Sequence, residues 1–236
     1  MKIISWNCNM AFRKKGDPVL AYKPDLLVVS ECEQPEKLNI DANIPNCSSH
    51  FWLGDNPHKG VGIFTFSDQV LTLQPEYNPE FKYVIPLCVK GKTELLLFAI
   101  WTMSHPIRAK SYVGQIWGAL QYYEKLINED SFFIGDFNSN LIWDHERKGG
   151  NHSHVVDFLS ERNIVSLYHT IRNEKQGEEK EPTLYLLKKK YKSYHMDYCF
   201  LSKNKIQKET KIEIGKYEDW IKYSDHMPMI MEGIKE

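Results

Sequence analysis

The sequence is short of cysteine, of long apolar runs and of excess charge, and each shortage excludes a class of protein. The five cysteines, Cys8, Cys32, Cys47, Cys88 and Cys199, are odd in number, scattered, and never spaced as Cys-x-x-Cys. That argues against a disulfide framework and against a thiolate zinc site. Cys8 and Cys199 lie in apolar, strand-like runs and are expected to be small core residues. No run is long and apolar enough to span a bilayer. The first residues reach the polar Asn7 before a signal-peptide core could form, so they read as a mature first strand. A cytoplasmic protein is the expectation. A formal net charge of −1 provides no whole-molecule attraction to polyanions, so any nucleic-acid contact has to come from a local basic patch. Internal repeats, low-complexity tracts and an evident protein partner are also lacking.

What remains is an ordinary globular composition: 236 residues, 42% hydrophobic and 26% charged, enough for one α/β domain over residues 1–236. Short apolar runs at Lys2–Trp6, Leu26–Val29, Val61–Phe66, Leu95–Trp101, Phe132–Ile134, Tyr198–Leu201 and Met227–Met231 predict buried strands. Lys90-Gly91-Lys92 joins two such runs as a hairpin. Apolar residues recurring at Tyr112, Ile116, Leu120, Tyr123 and Ile127 predict a helix over Ser111–Glu129. A shorter helix is expected to start near Ser153 and to carry Val155, Val156, Phe158 and Leu159. Hairpins mixed with crossovers imply sheets of parallel and antiparallel pairs covered by helices. The polar segment Arg172–Glu181 holds no apolar residue and is the best candidate for a mobile loop, with an ordinary solvated surface excursion as the alternative.

The chemistry is concentrated where the strands end. The first run meets Asn7, the second meets Glu31, and Phe132–Gly135 runs into Asp136-Phe137-Asn138. Asp197 precedes the run Tyr198–Leu201, and Asp225-His226 precedes Met227–Met231. Strand ends hold side chains rigidly, and α/β proteins place their sites there. Any one of these residues alone reads as an ordinary turn residue. Together, carboxylates and carboxamides in this arrangement suit a hard cation such as Mg²⁺, with Mn²⁺ as a substitute, which keeps waters and accepts substrate phosphate as a ligand. The pair His152 and His154 raises the thought of zinc, but reads better as flanking a helix start.

Ser-Trp-Asn at 5–7, Pro-Asp-Leu-Leu at 24–27 leading to Glu31, Gly-Asp-Phe-Asn at 135–138, Met-Asp-Tyr at 196–198 and Ser-Asp-His at 224–226 occur in a telling order. In these segments the sequence resembles the endonuclease/exonuclease/phosphatase superfamily, which includes exonuclease III, apurinic endonucleases, deoxyribonuclease I, sphingomyelinases and inositol phosphatases. The resemblance implies a two-sheet α/β sandwich of mixed strands flanked by helices, with the site at one end of the sheets. It also implies roles by position. Glu31 would ligate the metal, with Asn7 as ligand or orienter and Asp225 nearby. Asp136 would activate or orient the attacking water, and Asn138 would hold a phosphate oxygen. His226, oriented by Asp197, would hydrogen-bond the phosphoryl oxygens. In-line attack at phosphorus calls for such a base, cation and set of preorganised donors.

Tyr112 is a further candidate for phosphate contact, with a helix aromatic packed in the core as the alternative. His105, in the loop before it, is another. The sequence departs from many relatives in having Ser30 before Glu31 where they carry Gln. Leu184 and Tyr194 stand roughly where apurinic endonucleases line an abasic-sugar pocket with aromatics. Basic residues stand near the expected rim at Arg13-Lys14-Lys15 and at Lys188–Lys192; the second run, with Lys188 and Lys190, either grips a phosphate backbone or forms a solvated hairpin tip. The expected substrate is nucleic acid, DNA rather than RNA, with a small or lipid phosphate ester as the alternative. A catalytically inactive binding module is a third reading, disfavoured because no member of the set is replaced by an inert residue.

Overall fold

Strands buried on both faces read as continuous apolar runs, and that is how the centre of the protein is built. The computed structural model describes residues 1–145 and 150–235. One sheet holds β1 (Ile3–Asn7), β2 (Leu26–Cys32), β3 (Ser49–Asn56) and β4 (Lys59–Thr65), with β13 (Lys211–Ile214) and β14 (Met229–Glu232), in the order β13-β14-β1-β2-β4-β3. The other holds β5 (Val70–Leu73), β6 (Val84–Lys90), β7 (Glu94–Trp101), β8 (Ser131–Asp136), β9 (Ile164–Ser166) and β12 (Asp197–Ser202), in the order β5-β6-β7-β8-β12-β9. A separate hairpin pairs two short strands, β10 (Leu184–Tyr185) and β11 (Ser193–Tyr194). The pairs β1–β2 and β7–β8 are parallel and the others antiparallel, so both six-stranded sheets are mixed.

The period of two sorts side chains between layers. Leu97, Ala99, Phe132, Ile134, Cys199 and Leu201 face the first sheet and join its Ile3, Leu27 and Met231 in one core. Their neighbours Phe98, Ile100, Phe133, Tyr198 and Phe200 point the other way, under the helices Val113–Tyr122 and His152–Ser160. Cys8 and Cys199 are fully buried, as their runs suggested. No helix among the described residues is long and apolar enough to cross a membrane.

The first helix is shorter than its periodicity predicts. Tyr112 is its N-terminal flanking residue, with φ +50°, and the helix stops at Tyr122. Beyond it, the amides of Leu126 and Ile127 both bond the Tyr123 carbonyl in a tight turn, which keeps the spacing without the helix. The second helix starts at His152, and the zinc reading of its histidines fails. His152 is buried between Ser139 and Gln176, while His154 accepts from the Asn151 amide.

The expected mobile loop is instead knitted into the fold. Arg172 ends a helix and pairs with Glu181, and Glu174 binds the Tyr168 hydroxyl at 2.9 Å. Burial works against the Glu179 carboxylate, but His169 at 3.0 Å, the Gly177 amide and Asn140 outweigh it and hold its pKa down at about 2. A segment without apolar residues is thus fixed by charge-assisted hydrogen bonds, which composition does not reveal.

Candidate active site

Strand pairing delivers the polar strand ends to one place. In β1–β2, Asn7 lies opposite Ser30, which sets Glu31 beside it. In β8–β12, Asp136 and Asp197 are direct partners, and across β7–β8 Trp101 is level with Asp136. The Ser-Asp-His turn is tied to the same rim. The Ser224 hydroxyl donates to the Asn7 carbonyl at 2.7 Å and accepts from the His226 amide at 3.0 Å, and the Trp6 indole donates to the His226 carbonyl at 3.0 Å.

Asp136 is buried and held by three N–H donors. Asn7 Nδ2 and Asn138 Nδ2 reach its Oδ2 at 2.9 and 2.8 Å, and the Asn138 amide reaches Oδ1 at 2.9 Å. His226 Nδ1 bonds Asp197 Oδ2 at 2.8 Å, which leaves Nε2 facing Asp136 Oδ2 across 3.9 Å. Burial raises the Asp136 carboxyl and Asp197 adds to the rise, against the pull of His226, for a pKa of about 7. Burial disfavours the His226 imidazolium, yet Asp197 and Asp136 outweigh it and raise its pKa to about 10. Three donors and a facing imidazolium call for the ionised Asp136. The result is an oriented carboxylate next to a cationic ring, an arrangement suited to proton transfer.

The ligand atoms of Asp136, Asp197 and His226 lie within 4.8 Å of one another, a spacing that would admit a metal ion. Hydrogen bonds close this trio, however: Nδ1 is committed to Asp197 and the Asp136 oxygens to amide donors. Glu31 is the more open carboxylate. It occupies a bulge between Ser30 and Cys32, at φ +62°, and its side chain is 17% exposed. Backbone in this region costs energy and persists where the surroundings over-determine it. Asn7 Nδ2 lies 3.5 Å from Glu31 Oε1, and Asp225 Oδ1 accepts from Asn9 at 2.9 Å. Glu31, at the edge of a cleft it shares with Asp55, would suit Mg²⁺, which is held by one or two carboxylates and completes its shell with water and phosphate.

Two cavities meet at this rim, and both are lined by Tyr112 and Asn138. Tyr112 is 41% exposed, so it is a wall of the cleft and not a core aromatic. One cavity, about 380 Å³, runs past Glu31, Lys59, Trp101 and Thr102. The other, about 320 Å³, is mostly apolar and includes Trp143, Leu184, Tyr194 and Met196. Tyr194 packs against Trp143 with ring centroids 5.0 Å apart.

The remaining candidates stand apart from this centre. Arg13 pairs with the buried Glu33 and Lys190 with Glu218, so both charges are answered within the chain. Lys188 sits at the hairpin tip, its carbonyl accepting from the Tyr217 hydroxyl at 2.9 Å. His105 is exposed, accepts from the Ile107 amide at 2.9 Å, and lines neither cavity. Sequence reasoning missed Lys59, Trp143 and Asn140. Asn140 ties the loop after Asp136 to the His195 carbonyl at 3.0 Å and to the Tyr198 hydroxyl at 3.1 Å. Its signal was present in the polar run Asn138-Ser139-Asn140. Lys59 and Trp143 gave none, being one lysine and one tryptophan on unremarked segments.

No protein-family model matches the chain, and no curated protein matches it in sequence. Solved structures do. The 3'-5' exonuclease NExo from Neisseria meningitidis superposes with a TM-score of 0.71 at 19% identity, covering 100% of each chain. An AP endonuclease from Archaeoglobus fulgidus gives 0.68 at 16% identity, with 98% of both chains covered. D. rerio TDP2, complexed with single strand DNA product, gives 0.63 at 16% identity over 98% of this chain and 97% of that one. The chain has the two-sheet α/β sandwich fold of the endonuclease/exonuclease/phosphatase superfamily.

Proposed function

We propose that this chain is a divalent-metal-dependent phosphodiester hydrolase acting on nucleic acid, DNA rather than RNA. One observation carries the reading: an Asp136 carboxylate fixed by three N–H donors faces, across 3.9 Å, an imidazole fixed by Asp197. Asp136 takes the proton of the attacking water. His226 donates from Nε2 to a non-bridging phosphoryl oxygen as charge builds there. Asn7 and Asn138 act through Asp136, since the Nδ2 group of each donates to it. Tyr112 contacts phosphate from the ridge between the cavities, and Asp225 supports the metal side through Asn9. A cation at Glu31, Mg²⁺ or Mn²⁺ in its place, would supply positive charge to the developing phosphoryl charge.

The apolar cavity beside Asn138, walled by Trp143 and Tyr194, supports a substrate with a flat or apolar group next to its phosphate. The single-strand DNA product on D. rerio TDP2, together with the exonuclease and AP endonuclease among the neighbours, supports DNA. A second reading, a small phosphate ester, is favoured by the pairing of Arg13 and Lys190 with acids, which leaves a weak basic rim. A panel with Mg²⁺ separates them: abasic duplex, blunt duplex, single strand, RNA, bis-p-nitrophenyl phosphate and inositol phosphates. Turnover of a DNA substrate well above all others is expected. Preference for an inositol phosphate would overturn the nucleic-acid reading.

Glu31→Gln is expected to weaken Mg²⁺ binding and depress turnover with the fold intact. Calorimetry giving the wild-type metal affinity for this variant would remove Glu31 from the metal site. The lysine hairpin has its own test. Lys188, Lys189, Lys190 and Lys192 changed together to Gln should weaken duplex binding and flatten its salt dependence by up to about 0.9 in slope per lost phosphate contact. Small-diester turnover should stay near wild type. Identical salt slopes would make the hairpin a solvated tip.

A further inference from the structure

Lys59 is the one cation set against the proposed metal-binding carboxylate, among the described contacts of Glu31. Its place follows from strand register. In β2–β4, Ser30 pairs with Val61 and Cys32 with Gly60, so the bulge turns Glu31 out beside the first residue of β4. Lys59 Nζ then lies 3.3 Å from Glu31 Oε1, with its side chain 36% exposed. The ammonium is also 5.1 Å from the ring centroid of Trp101, a distance at which the aromatic face attracts a cation. Trp101 is buried, packs on Tyr83 at 4.9 Å, and is level with Asp136, so this platform is fixed relative to the catalytic strand. The nearby Asp55 is taken by Lys82. Lys59 shares its cavity with Asn138 and Tyr112, and so looks onto the space where the phosphate is proposed to bind.

A lysine in that position has two partners of opposite timing. Without a cation, Glu31 is a carboxylate in need of positive charge, and Lys59 supplies it. With a divalent cation on Glu31 the ammonium is repelled from it, and the nearest gain is an anionic oxygen in the same cavity. We propose that Lys59 is a substrate-binding residue of this site: it neutralises Glu31 until a cation binds there, then donates to a non-bridging oxygen of the phosphodiester. His226 and Lys59 would grip the phosphoryl group from two sides. The inference rests on the phosphodiesterase reading above, and its test reports on the two separately.

Wild type, Lys59→Met and Lys59→Arg are titrated with Mg²⁺ alone by calorimetry and assayed on bis-p-nitrophenyl phosphate. Lys59→Met is expected to bind Mg²⁺ about twofold to fivefold tighter, as befits removal of a competing half-exposed ion pair. Its kcat/KM should fall about 10-fold to 100-fold through loss of a charged hydrogen bond to substrate, with most of that activity retained in Lys59→Arg. Unchanged or weaker Mg²⁺ binding in Lys59→Met would overturn the competition with the metal. Unchanged kcat/KM would overturn the substrate contact. A wild-type protein that neither binds Mg²⁺ nor cleaves the diester would instead overturn the phosphodiesterase reading, and the role of Lys59 with it.

Discussion

Asp136→Asn and His226→Ala are each expected to lower kcat by about 100-fold or more, with little change in KM. Asparagine keeps the shape of Asp136 but removes the basic oxygen proposed to take the proton of water. It also sets an amide N–H against the N–H donors of Asn7 and Asn138, which the carboxylate now satisfies. His226→Ala removes the Nε2 donor and strands Asp197, whose Oδ2 accepts the Nδ1 hydrogen at 2.8 Å. A buried carboxylate without its partner costs stability, so His226→Gln is the control that retains a donor. Because the two groups are proposed to act on one proton transfer and one phosphoryl group, the double variant should lose less than the product of the single losses. Steady-state kinetics on a small diester decides this. A single variant with near-wild-type kcat would remove that residue from the chemistry.

Gly135→Ala is expected to destabilise the fold by about 4 kcal/mol or more, in the range reserved for single changes with a named steric cause. Gly135 has φ +141°, a conformation that an L side chain rarely adopts, and a Cβ there would lie 2.0 Å from the Ile100 carbonyl oxygen. That carbonyl belongs to the neighbouring parallel strand, where Ile100 is the direct partner of Gly135, so it cannot withdraw without breaking the ladder. The strain falls one residue from Asp136, and the site should suffer with the sheet. Urea unfolding monitored by tryptophan fluorescence gives the measurement. A variant within about 1 kcal/mol of wild type would mean that β7 and β8 are not paired as described.

The centre of the site was legible because its residues interrupt apolar runs. A carboxylate or amide at the end of a doubly buried strand leaves a clear mark, and Asn7, Glu31, Asp136, Asp197 and His226 all leave it. The pairings of β1 with β2 and of β8 with β12 bring Asn7, Glu31, Asp136 and Asp197 to one rim, and the hydrogen bonds of Ser224 and Trp6 bring His226 there. Lys59 left no mark because its place depends on a bulge in a strand 28 positions earlier in the chain (59 against 31) and on a register that local pattern does not encode. Lys190 and Arg13 were legible as charges but not as paired charges, since Glu218 and Glu33 reach them from other elements. Arg172–Glu181 misled in the opposite sense. Polar composition suggested mobility, whereas a half-buried Glu179 held by His169 and Asn140 fixes the segment. The over-long helix prediction shows that apolar spacing can continue through a turn once the backbone has left the helix.

Metal-dependent turnover tests the central claim most directly. The purified protein is stripped with a chelator, then given Mg²⁺ while hydrolysis of bis-p-nitrophenyl phosphate is followed, with Asp136→Asn and Glu31→Gln assayed beside it. The stripped protein should be inactive, Mg²⁺ should restore turnover, and both variants should remain far below wild type at the same Mg²⁺. Full activity after stripping, or equal activity in wild type and Asp136→Asn, would contradict a diesterase that works through Asp136 with a cation at Glu31.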